Sequence, residues 1–272
     1  IGFNALFFNT TGQRNVALGF NAGTGNTTGE KNIAIGSQAM GGLDAIYNEG
    51  DQNIAIGMAA LPRNTTGVFN IAVGSSALFQ NNTGQNNIGI GADALGKNTT
   101  GSDNTGLGEG ALQKNQTGSD NIAIGAGSGE FYYFNNGGSI SQGTNTTPEK
   151  SIFIGSDTEP NSNGETNQIV IGDSAVGNGT NTVTLGNDNV TDTHLKGNVQ
   201  TNGSVSASKL LINSSSNQIE LSTGNIPTLG TLNIGHFSNG AFIGTIAGSN
   251  NASNNLRLGS NGTTALTINS DQ

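Results

Sequence analysis

Apolar residues in this chain come in short triplets at a fixed spacing. Asn15-Val16-Ala17-Leu18-Gly19 returns as Asn32-Ile33-Ala34-Ile35-Gly36, Asn53-Ile54-Ala55-Ile56-Gly57, Asn70-Ile71-Ala72-Val73-Gly74 and Asn121-Ile122-Ala123-Ile124-Gly125, with glycine at the centre in 87–91 and 104–108. The closing glycines fall at 2, 19, 36, 57, 74, 91, 108 and 125, so every interval is 17 residues except one of 21. A second series, Gly12, Gly29, Gly50, Gly67, Gly84, Gly101 and Gly118, closes Asn/Thr-rich turns such as Asn98-Thr99-Thr100-Gly101. An Ala-Leu or Ala-Met pair lies between the two series in most repeats. Seventeen residues are too few for a helical hairpin repeat. A β-branched triplet bounded by turn residues reads instead as a short strand.

The spacing therefore predicts an all-β fold, a parallel β-roll or β-solenoid of 17-residue coils, each stacked on the next at about 4.8 Å. Alternation along the triplet predicts that Ile33 and Ile35 fill the coil interior while Ala34 faces outward, toward a place where another backbone comes close. Identical positions in successive coils let Asn and Thr form ladders along the axis. So few bulky residues per coil make a thin core, which predicts burial against sister chains. Ala17, Ala34, Ala55, Ala72 and Ala123 are the candidates for that subunit interface. Three-fold closure is one way to use them, and the spacing does not fix the number.

The period breaks twice within the roll. Four extra residues fall in 41–47, which include Tyr47, and 13 extra residues fall between Gly125 and Gly155. It resumes at Ile152-Phe153-Ile154-Gly155, Ile169-Val170-Ile171-Gly172 and Val183-Thr184-Leu185-Gly186. Residues 1–190 are read as the roll, with an insertion at 126–150, and residues 191–272 as a neck and a β-rich stalk or β-prism. Insertions in solenoids often bind. Phe131, Tyr132, Tyr133, Phe134 and Tyr47 are therefore candidate receptor contacts, and packing at a junction between roll segments is the competing use of these rings.

Composition narrows the function. Among 272 residues there are 44 Gly and 41 Asn, while charged residues make up 10% and aromatic residues 5%. A compact domain carries about 25% charged residues. Nine scattered basic residues against a net charge of −9 argue against nucleic acid as a partner. No apolar run approaches the roughly 18 residues of a membrane helix. Without cysteine there is no disulfide and no thiolate metal site.

Asp103 and Asp120 lie one repeat apart on outward turns, and neither they nor Glu109 and Glu130 form the paired carboxylates of a glycosidase. His194 and His236 stand without companions. No catalytic residue, metal site or cofactor is expected. Asn-x-Ser/Thr triplets at Asn9, Asn26, Asn64, Asn81, Asn98, Asn115 and Asn145 read as turn chemistry first and as glycosylation acceptors second. Threonines at 10, 27, 65 and 99 suggest an ice-binding face, a reading weakened by Glu49 in the series.

The Asn-x-Ala-Ile-Gly-x-x-Ala element resembles the head repeats of trimeric autotransporter adhesins (YadA-like) and the matching repeats of bacteriophage tail fibres. The resemblance covers about residues 1–125 and resumes at 152–186. It implies a left-handed parallel β-roll, three of which pack into a homotrimeric fibre. Residues 183–199 resemble the neck that follows such heads. Residues 256–270 resemble sequence preceding an endosialidase-type chaperone, which is absent from this chain, as is a membrane-anchor barrel. Ile1-Gly2 matches the middle of a repeat, so the N-terminus is read as cut. The resemblance implies a non-enzymatic segment of a virion tail fibre, extracellular, adhering to a glycan or protein receptor on a host surface. The alternatives are a bacterial surface adhesin or self-assembled extracellular filament, and, on a different chemistry, a polysaccharide depolymerase.

Overall fold

A computed structural model describes residues 1–42, 48–130, 133–134, 140–141, 148–196, 256–260 and 263–268. The chain divides into two compact units, Ile1–Asn198 and Val199–Gln272. In the first, ten three-residue strands form one parallel sheet: β1 (Val16–Leu18), β2 (Ile33–Ile35), β3 (Ile54–Ile56), β4 (Ile71–Val73), β5 (Ile88–Ile90), β6 (Thr105–Leu107), β7 (Ile122–Ile124), β10 (Ile152–Ile154), β11 (Ile169–Ile171) and β12 (Val183–Leu185). Each pairs with the next in sequence order, triplet on triplet, so the first unit is a β-solenoid. In the second unit, β13 (Leu256–Ser260) and β14 (Thr263–Ile268) form an antiparallel pair.

The breaks in period do not interrupt the sheet. β2 pairs with β3 in register across the four extra residues. β7 pairs directly with β10, Ile122 opposite Ile152, across the longer insertion. Within that insertion β8 (Tyr133–Phe134) and β9 (Ile140–Ser141) form a two-residue antiparallel pair.

The facing of the strands is the reverse of that expected from their alternation. Ala17, Ala34, Ala55, Ala72 and Ala123 lie inside the coil, between 0 and 9% exposed. The large residues on either side point outward and stay half-exposed. The physical reason is width. Opposite the strand, the interior holds a column of leucine or methionine (Met40, Leu61, Leu78, Leu95, Leu112), each at most 1% exposed. One leucine and the small strand centre fill the space between the walls. Where the centre is Gly89 or Gly106, an added Cβ would lie only 3.0 Å from the Ala94 or Ala111 carbonyl oxygen. The alanines named above are therefore wall-to-wall packing and offer no surface to another subunit.

Corners set the rest of the sequence. Leu6, Met40, Leu61, Leu78, Leu95 and Leu112 all have φ near +50°, as do polar residues at two further corners such as Arg14, Asn86, Asp103 and Ser76. β-branched residues are genuine outliers in this conformation. No Ile, Val or Thr is found among the described non-glycine residues with positive φ. The chain thus sorts its apolar residues by backbone geometry, keeping Ile and Val out of the left-handed corners and placing Leu or Met at the buried one.

Two asparagine ladders run through the coils of β1–β7, the first ending at Asn121 and the second at Asn115. In the first, Asn87 donates through Nδ2 to Asn70 Oδ1 (3.1 Å) and to the Gly101 carbonyl (2.8 Å). Asn104 in turn donates through both its backbone N–H and its Nδ2 to Asn87 Oδ1, each at 3.1 Å. In the second, Asn81, Asn98 and Asn115 repeat the arrangement beside the turn glycines. These side chains are fully buried. Their bonds satisfy polar groups that would otherwise carry the desolvation penalty of an unpaired buried amide. Asn87→Ala is expected to lower stability by about 3 kcal/mol, since it deletes two donations and orphans two donors on Asn104. Gln85→Ala, at an exposed turn position, should shift the chemical-denaturation midpoint by the equivalent of about 0.5 kcal/mol or less.

Candidate interaction surface

The reversal of facing puts an apolar stripe on the outside. At each strand two side chains face out, and only Thr105 among them is polar. Val16, Leu18, Ile56, Ile90, Ile122, Ile124, Ile154, Ile171, Val183 and Leu185 are between 36 and 62% exposed. Ten strands at the usual spacing make the stripe about 40 Å long. Two side chains on one strand face are roughly 7 Å apart, giving about 300 Å² in projection, in the range of the largest apolar patch on an ordinary monomer, which is often functional.

The column bordering the stripe after each closing glycine changes character along the axis. Phe3 and Phe20 stack with ring centroids 5.6 Å apart and planes 9° from parallel. Phe20 and Met58 are half-exposed and widen the apolar surface at the first coils. Glu109 and Asp173 occupy the same column farther along.

No comparable convergence of polar chemistry is found among the described residues. Asp103 and Asp120 do occupy one column at the turn corner, both at positive φ. Asp103 Oδ1 accepts from Asn86 Nδ2 at 3.1 Å, as part of a ladder of turn residues. Glu109 is exposed, whereas Glu130 is 3% exposed at the start of the insertion. Lys114 is also buried. That burial pulls its ammonium below the usual lysine range, with the Glu130 carboxylate working in the opposite direction. His194 is exposed, and no group of three or more His, Asp or Glu able to hold a metal comes together among the described residues.

Of the aromatic receptor candidates, Tyr133 and Phe134 form β8, while Phe131, Tyr132 and Tyr47 lie outside the described residues, as does His236. The sequon asparagines Asn26, Asn64, Asn81, Asn98 and Asn115 are ladder residues, at most 1% exposed and with Nδ2 already donated. A folded coil does not present them to a glycosyltransferase. Asn9 is half-buried and Asn145 lies outside the described residues. In comparisons with known proteins, no family model, no curated protein and no solved structure matches this chain.

Proposed function

We propose that the chain is the rod segment of a homotrimeric extracellular fibre, a virion tail fibre whose roll is stiffened and joined through its aliphatic stripe and whose role is adhesion to a host surface. The single observation that carries the reading is that stripe, continuous over ten strands and interrupted only at Thr105. A typical coil, such as that of Ala72, Ala77 and Leu78, buries one leucine-sized side chain and two alanine-sized ones in its own interior, a small apolar yield for 17 residues. Association through the stripe adds the missing burial, and a second copy of the chain is a matching partner because its stripe has the same length and repeat. The number three comes from the resemblance of the Asn-x-Ala-Ile-Gly repeats to trimeric adhesin heads, which also suggests the neck and stalk beyond residue 190.

Mass under native conditions tests this. A trimer of 27.4 kDa chains is expected for the unaltered protein. Ile71→Asp combined with Ile88→Asp should release monomers, because it places charge in the middle of the joined face at several kcal/mol per unpaired buried ion. A monomeric unaltered chain would sink the proposal. Incubation with host-envelope glycan separates adhesion from depolymerase chemistry, since an adhesin binds it and releases no oligosaccharide.

A further inference from the structure

The coils of β1–β7 are rich in asparagine, yet they avoid one dipeptide. Across residues 1–125 no asparagine precedes a glycine, despite the abundance of both. Most ladder asparagines are followed by Thr, as at Asn64-Thr65 and Asn98-Thr99, or by Ile, as at Asn53-Ile54, Asn70-Ile71 and Asn87-Ile88; Asn81 and Asn115 are followed by Asn82 and Gln116. Among the described residues, Asn-Gly is found only at Asn163-Gly164 and Asn178-Gly179. Both lie in the last coils.

We infer that Asn163, and more slowly Asn178, are sites of spontaneous deamidation, at which the folded fibre segment is chemically modified as it ages. The chemistry needs no enzyme. The Gly164 backbone nitrogen attacks the Asn163 side-chain carbonyl carbon, and a new N–Cγ bond forms as the Cγ–Nδ2 bond breaks. Ammonia leaves carrying the proton of the Gly164 N–H. Water then opens the resulting cyclic imide at either of its carbonyls, giving aspartate or isoaspartate. Three features of the structure favour Asn163. Asn163 and Gly164 are both exposed. No hydrogen bond engages the Asn163 side chain or the Gly164 N–H. Gly164, at φ +74°, has nothing within 4 Å of where a Cβ would stand, so the turn is open on its side-chain side.

Asn178 is exposed too, but it sits in the shortened coil before β12. There the Gly179 carbonyl is held by Thr182 Oγ1 at 2.6 Å, which restrains the turn. The ladder asparagines are protected twice over. Their Nδ2 and Oδ1 atoms are engaged, as at Asn87 and Asn98, and the residue that follows carries a side chain, β-branched in most cases. For them to react, the coil must first open locally, which suppresses the rate by the population of the open form. Each event at Asn163 adds a negative charge to a chain already at −9. The isoaspartate product also lengthens the backbone of the turn between β10 and β11.

The test is site-resolved peptide mapping of the intact, folded chain during incubation at mildly alkaline pH and physiological temperature. It scores amide-to-acid mass gain and isoaspartate separately. Mapping also resolves Asn136, Asn202, Asn239 and Asn261, which precede glycine but lie outside the described residues. Asn163 is expected to convert at least about 100-fold faster than Asn87 or Asn98 while the protein stays folded. Gly164→Ala should suppress conversion at Asn163 and leave Asn178 unchanged. Ladder asparagines keeping pace with Asn163 would overturn the inference. So would an Asn163 that stays intact for a period in which the denatured chain converts it, or one that converts at an unaltered rate in Gly164→Ala.

Discussion

Gly74→Ala is expected to lower the stability of the solenoid by about 4 kcal/mol, combining a backbone conformation closed to other residues with a steric overlap. Gly74 has φ +132°. A Cβ there would stand 2.4 Å from the Gly91 carbonyl oxygen and 2.6 Å from the Gly91 carbonyl carbon. Neither coil can retreat. The Gly74 N–H donates to Ile56 O and the Gly91 N–H to Val73 O, both at 2.8 Å, so this corner is part of the ladder that stacks one coil on the next. The same approach recurs at Gly57, Gly91 and Gly108, with 2.3–2.4 Å to the next carbonyl oxygen. Gly164→Ala is the control, because its φ is also positive but its surroundings are open. It should lose only about 1 kcal/mol, the left-handed backbone term. Chemical denaturation of the two variants separates the terms, and equal losses would refute the role given to coil-to-coil contact at Gly74.

How much of this was legible beforehand divides along physical lines. The glycine and Asn-x-Ala-x-Gly series place every strand of the roll, since each of β1–β7 and β10–β12 falls on a triplet read from spacing alone. The asparagine ladders follow from identical residues at one coil position. The direction of the side chains did not follow. Period-2 alternation says that Ile33 and Ala34 face opposite ways, but it does not say which way is in, and exposure of apolar residues is common enough that hydrophobicity alone does not decide. The missing quantity was the width of the coil, set by leucines at a left-handed corner that no local pattern announces. Once Leu78 and its equivalents occupy the interior, only alanine or glycine fits beside them. The candidate interface consequently moves from the alanine column to the isoleucine columns on either side of it. The aromatic candidates rested on an insertion, where sequence carries no periodic constraint and therefore no position.

The interior also shows a compensation that spacing does not reveal, and it yields the second large effect. At the coil that meets the insertion, Ser128-Gly129 stands where Ala111-Leu112 stands in the coil before, so the leucine column is empty at Gly129. The next strand centre is Phe153 in place of Ala123, and the two are partners in β7–β10 pairing. Phe153 is fully buried. A Cβ on Gly129 would lie 3.1 Å from the Phe153 ring and 2.8 Å from Leu112 Cδ2. The ring therefore fills the volume that a leucine at 129 would take. Phe153→Ala should cost about 4 kcal/mol through the cavity it leaves. Gly129→Leu alone should cost about 2 kcal/mol by overpacking against the ring. Combined, the two substitutions rebuild the leucine-and-alanine interior of the other coils. Leu112 already adopts φ +51° at the equivalent corner, so a leucine at Gly129, where φ is +70°, takes up a conformation the other coils use, at about 1 kcal/mol for the left-handed backbone. The double variant should lose about 3 kcal/mol where additive losses would give about 6, a favourable coupling of about 3 kcal/mol in a double-mutant cycle. Additive losses in that cycle would mean that Phe153 and Gly129 are separate features, and that coil width is not set by the sum of the two facing side chains.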